Sequence, residues 1–105
     1  MLLKDNESIV LTGKEAIEII KTINYFVISL NQIGHYYEEK INTKNGECDF
    51  KKEIAHFIIK NRIANQLLVA RGILLHKFNR ELGDDDMDDI ERAIEKTKYW
   101  EKPGD

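Results

Sequence analysis

The sequence predicts an all-α fold: a long antiparallel helical hairpin, a short third helix, and a four-helix core completed by dimerisation. Three observations carry this. Only one proline and six glycines occur in 105 residues, so little interrupts a helix. Apolar residues recur at alternating steps of three and four over two long stretches, which is the helical period. The polar connection "NTKNGEC" separates those stretches, and so short a loop makes antiparallel neighbours the default.

The elements follow in chain order within one domain, residues 1–105. Residues 1–11 form a short extended start, with Ser8 to Leu11 as the packed part. Thr12-Gly13-Lys14-Glu15 reads as a capping box that opens the first helix, residues 12–42. The Thr12 hydroxyl accepts from the Glu15 amide, and the Glu15 side chain reaches back to the Thr12 amide. Ala16, Ile19, Ile23, Phe26, Leu30, Ile33 and Tyr37 form its stripe, and Ile20, Val27, Gly34 and Ile41 widen it along one edge. Asn45-Gly46 signals a turn. Asp49 caps the second helix, residues 49–82, which stops at Gly83. That helix is apolar on more than one face, so it is central. The third helix, residues 85–101, starts among aspartates that suit the positive end of the helix dipole.

Lengths decide what stays uncovered. Folding the hairpin about residue 45 or 46 sets Gly34 near Phe57, Tyr37 near Ile54 and Val27 near Ala64. The long helices span about 45 Å each and the third about 24 Å. The third therefore covers only the open end. Leu30, Ile33, Tyr36, Tyr37, Phe50, Ile54, Phe57, Ile58 and Ile59 remain on the loop side with nothing above them. An apolar surface of that size marks an oligomer or partner interface, and a homodimer is expected there.

Composition limits the function classes. Net charge is −3, so no global field draws the chain to nucleic acid or anionic lipid. The lone Cys48 excludes an internal disulfide and fits a reducing compartment. No signal peptide is legible at the start and no run of 18 apolar residues exists. A soluble cytoplasmic protein without a membrane partner is the expectation, and nucleic acid is unsupported.

Candidate chemistry is sparse. His35 and Glu38, and Glu53 and His56, share i, i+3 spacing and come together in the folded hairpin, a set that can hold a transition metal. His35 and Glu38 lie off the apolar stripe and point to solvent, so no metal and no cofactor is assigned. "DDDMDDIERAIE" places Asp84, Asp86, Asp88 and Glu95 at calcium-loop positions but has Asp89 where the sharp turn needs glycine. The same aspartates could imitate a phosphate backbone; a favourable helix start is the simpler reading. No serine or cysteine pairs with a histidine as a nucleophile.

Arg71 and His76 resemble the Arg-x4-6-His pair of the helical ribonuclease superfamily called HEPN. The resemblance covers these two positions, with Gly72 where that family usually has a polar residue, and lacks the fourth long helix. It implies a ribonuclease site shared across a dimer. Within one helix the two side chains diverge by about 140°, so no catalytic residue is assigned and Glu18 and Glu15 are their expected neighbours. The reading that follows is a small non-enzymatic binding protein acting through protein–protein contacts, an inhibitor or regulator of immunity, antitoxin-like or anti-defence type. The abundant Lys, Asn and Ile suit a low-GC bacterial or phage source, where such proteins are common. Two alternatives stay open: an oligomer that binds a small ligand or nucleotide beside Tyr36 or Tyr37, and the ribonuclease.

Overall fold

The computed structural model describes residues 2–43 and 45–104; Lys44, in the expected connection, lies outside them. Among the described residues the chain is all-helical, with four α-helices: α1 (Gly13–Glu38), α2 (Gly46–Lys60), α3 (Ile63–Leu75) and α4 (Asp89–Ile94). The expected extended start is instead a 3-10 turn, Lys4–Asn6, flanked by irregular chain. The chain divides into two compact units, Leu11–Leu75 and Met1–Val10 with His76–Asp105.

In the first unit, α1 packs against both α2 and α3. Thr12 caps α1 through the complete box with Glu15. The helix ends at Glu38, four residues before the expected end at Asn42. Glu38 and Glu39 place two carboxylates at the negative end of the helix dipole, which opposes continuation. Beyond them the Thr43 hydroxyl donates to the Lys40 carbonyl at 2.6 Å and accepts from the Gly46 amide at 3.0 Å. α2 begins at Gly46, so Asp49 lies inside the first turn and does not cap the helix. A Cβ at Gly46 would overlap the Lys40 carbonyl, which fixes glycine at this close approach.

The early turn corrects the register. Tyr37 stacks at a tilt on Phe50, 5.7 Å between ring centroids. Phe57 meets Phe26 edge-on at 6.4 Å and Tyr25 face-on at 5.9 Å. The hairpin therefore folds about residues 42–43, and Phe57 faces Tyr25 and Phe26 in place of Gly34. No side chain comes within 4 Å of where a Gly34 Cβ would stand.

The single long second helix is also corrected. It breaks at Asn61 and Arg62, and Arg62 takes the left-handed conformation with φ 49°. Side chains hold the break. The Asn61 amide group donates to the Phe57 carbonyl at 2.9 Å, Gln66 donates to the Asn61 carbonyl, and Tyr25 of α1 donates its hydroxyl to Asn61. The helix then stops at Leu75, seven residues before the expected end.

In the second unit polar contacts do what a hydrophobic core does elsewhere. Asn6 is 4% exposed and donates to the Asn79 carbonyl and to Asp89, while its own carbonyl accepts from the Asn79 amide. Asn79 also accepts from the Glu81 amide, a side-chain turn that competes with helix. Asp88 caps α4 in a second capping box, with Glu91. The third helix is thus six residues long, well inside the expected range.

Candidate interaction surface

The hairpin core is thin. Ile19, Phe26, Phe57 and Ala70 are its buried apolar residues, and among the described residues no large side chain is fully buried. The chain exposes 8974 Å² for 12.3 kDa. A single globule of that mass exposes about 6,100 Å², and two separate globules dividing it as the units do expose about 7,300 Å². The surplus, roughly 1,700 Å², exceeds what either division of the chain explains.

A row of exposed apolar residues lies on one side of the hairpin. With about 100° of rotation per residue, Ile20, Ile23, Val27 and Leu30 lie on the same flank of α1 relative to the buried Phe26, and they are 60%, 51%, 51% and 43% exposed. Because α2 and α3 run antiparallel to α1, the same sense of rotation from Phe57 and Ala70 reaches the same face. It carries Ile58 and Leu67, both exposed, together with the exposed charges Glu47, Lys51 and Arg71. The opposite flank of α1 carries Glu18, Thr22, Tyr25, Ser29, Gln32 and Tyr36. α1 therefore has an apolar flank and a polar one, and charge enters the apolar side only from α2 and α3.

The nine residues expected at the interface are distributed unevenly by this geometry. Phe57 is core, and Ile33, Tyr37, Phe50 and Ile54 are half-buried between α1 and α2. Leu30 and Ile58 belong to the apolar face. Tyr36 lies on the polar face, and Ile59, 76% exposed, points away from α1. The exposed apolar surface is thus shifted from the loop towards the middle of α1.

An open groove of about 550 Å³ lies on the polar side, lined by Ser29, Gln32, Ile33, Tyr36, Tyr37, Glu53 and Phe57. The Lys40 ammonium sits 3.6 Å from the centre of the Tyr36 ring, a cation–π contact. Burial, and then the Glu53 carboxylate, push the Tyr37 phenol up, so it stays protonated and can donate. A groove offering Glu53 suits neutral or cationic groups better than phosphate.

The remaining candidates are placed as follows. His35 and Glu38 face each other at 3.5 Å, both well exposed. Among the described residues no three His, Cys, Asp or Glu side chains gather as a metal set. Cys48 is exposed in the first turn of α2. Arg71 belongs to the hairpin unit and His76 to the other; both are exposed, and among the described residues neither forms an ion pair, Arg71 with Glu18 included.

The aspartate run is largely consumed by its own unit. Arg92 makes a two-pronged contact with Asp85, both bonds 2.8 Å, and a third with Asp89 at 2.9 Å. Arg80 reaches Asp88 at 2.6 Å. The Arg92 guanidinium and then the Met87 amide hold the Asp85 carboxyl well below the ordinary range. Asp89 is lowered by Asn6 and the Leu3 amide, Asp88 by the Glu91 amide and Arg80. Three of the five carboxylates are thus internally neutralised, which leaves little of a phosphate-like array. The aspartates do open a helix, as expected, with Asp88 as its cap; their pairing with Arg92 and Arg80 is the part that the sequence does not show.

No protein-family model, curated protein or solved structure matches this chain. No helix among the described residues is long and apolar enough to cross a membrane.

Proposed function

We propose that this is a non-enzymatic helical binding protein, an inhibitor or regulator that acts in the cytoplasm through protein–protein contacts and forms a homodimer through its hairpin. The observation that carries the reading is the contrast between four buried apolar residues and a row of large exposed ones on one hairpin face. Solvating such a face costs about 25 cal/mol per Å², and a covering helical surface recovers it. The lone, exposed Cys48 fits a reducing setting. The test is absolute mass by light scattering over a range of concentrations, with His76→Ala as a companion. Self-association unaffected by His76→Ala supports the reading. A chain that stays monomeric, or ribonuclease activity that His76→Ala abolishes, overturns it.

The groove beside Tyr36 and Tyr37 favours a second reading, a small-ligand binder. Thermal shift with a panel of nucleosides and nucleotides tests it, because a ligand bound only by the folded state raises the melting temperature. No shift with any member contradicts it for that class.

A further inference from the structure

The apolar flank of α1 has more order than exposure alone. Ala16, Ile20, Ile23, Val27, Leu30 and Gly34 follow steps of 4, 3, 4, 3 and 4. This is the heptad spacing of a coiled-coil seam. It is distinct from the row Ile19, Phe26, Ile33 that faces α2 and α3. Between Lys21 and His35 the helix has no charged residue at all. The outer edge of the seam is Ile17, Asn24 and Asn31, also uncharged.

The row reads the same from either end. Small Ala16 and Gly34 close it, and large Ile20, Ile23, Val27 and Leu30 fill it. In an antiparallel pair of heptad helices, first-position residues meet fourth-position residues of the partner. Laying a second α1 antiparallel about the level of Tyr25 then sets Ile23 against Val27, Ile20 against Leu30 and Ala16 against Gly34. Each large residue meets a large one, and the small pairs at the ends let the backbones close. No charge meets its like, so nothing on the seam discriminates against a second copy.

We infer that the occupant of this face is a second copy of the chain, docked antiparallel, α1 on α1, about a two-fold axis near Tyr25. The inference rests on the homodimer reading above and gives it a face and a direction. The face is of the right order: the seam runs about 27 Å along α1 and two helices side by side are about 20 Å wide, a footprint of roughly 540 Å² before surface relief, against the about 800 Å² that a standard dimer covers on each subunit. Ile58 and Leu67, on the same side of the hairpin, then flank the seam, and the two hairpins form a four-helix core. The polar face with its groove stays open on both subunits.

Site-specific cross-linking in the full chain tests this. In a Cys48→Ser background, Asn24→Cys lies one residue from the two-fold axis, so the two thiols are offset by about 3 Å along the helices, and the sideways gap between helix axes about 8–10 Å apart is spanned by a short bismaleimide. Asn31→Cys lies on the same edge but about 18 Å from its symmetry mate. Both positions are exposed, so neither substitution threatens the fold. With that cross-linker most of the Asn24→Cys protein is expected to become covalent dimer, while Asn31→Cys stays uncoupled. Coupling at both positions means a parallel pair and overturns the direction. Coupling at neither in a protein of dimeric mass overturns the face and leaves the homodimer reading intact. A monomeric mass overturns the homodimer reading itself.

Discussion

Asn6→Ala removes the side chain on which the second unit turns. Asn6 is buried and makes three hydrogen bonds, at 2.9 Å to the Asn79 carbonyl, 2.8 Å to Asp89 and 2.8 Å from the Asn79 amide. Each net bond contributes about 1 kcal/mol, and an amide or carbonyl left buried without a partner costs about 1–3 kcal/mol more. Asp89 keeps the Leu3 amide and Arg92, so the main damage falls on Asn79. The expected loss is about 2–4 kcal/mol. Urea denaturation followed by circular dichroism gives the total, and residue-resolved amide exchange gives the place: Asn79 and the α4 amides lose protection before α1 does. Asn6→Asp gives a sharper contrast. It keeps the acceptor but puts an oxygen 2.8 Å from Asp89 where a donor stood, so it is expected to be no less damaging than alanine at neutral pH. A loss below about 0.5 kcal/mol for Asn6→Ala, with the Asn79 amide still protected, would refute the reasoning.

Three further outcomes are expected. Phe57→Ala empties the place where rings of Tyr25 and Phe26 meet the facing helix, and urea melts should show a loss of about 3–4 kcal/mol. Arg62→Gly relieves the left-handed residue between α2 and α3 and should stabilise the hairpin by about 0.5–1 kcal/mol; a loss in the same melts contradicts the account of the break. Asp85, Asp88 and Asp89 have carboxyls held below their ordinary value. Their contribution is therefore complete above the unfolded aspartate pKa of about 3.9 and is lost as pH falls through the lower native values. Amide spectra recorded during acidification should show the Asn79 to Arg92 region losing native shifts below about pH 4, and an unchanged region down to pH 2 would contradict this.

Some of the molecule was legible in advance and some was not, for physical reasons. The Thr12–Glu15 box and the apolar period of α1 are local, and the structure contains both. The antiparallel pairing follows from a short loop between two periodic stretches. The register did not follow, because the end of α1 depends on Glu38 and Glu39 opposing the helix dipole and on Thr43 bonding to Lys40, and apolar spacing contains neither. The break at Asn61 and Arg62 has no glycine or proline to announce it; it is held by bonds of the Asn61 and Gln66 side chains and by Tyr25, distant in sequence, which binds Asn61. Asn6 is harder still, since nothing near it distinguishes a buried asparagine from an exposed one. The exposed seam was present as the edge formed by Ile20, Val27 and Gly34, where it reads as a widening of the core stripe. Only the burial of Phe26 and Ile19 separates the core row from the outward one.

The most direct test of the central claim is sedimentation equilibrium of the native chain beside Val27→Glu. Val27 is 51% exposed, so a carboxylate there leaves the hairpin folded but charges the middle of the seam. The account predicts twice the 12.3 kDa chain mass for the native protein and a single chain for the variant, with unchanged helical circular dichroism. A native protein that sediments as a single chain at every concentration, or a variant that remains a dimer, would contradict it.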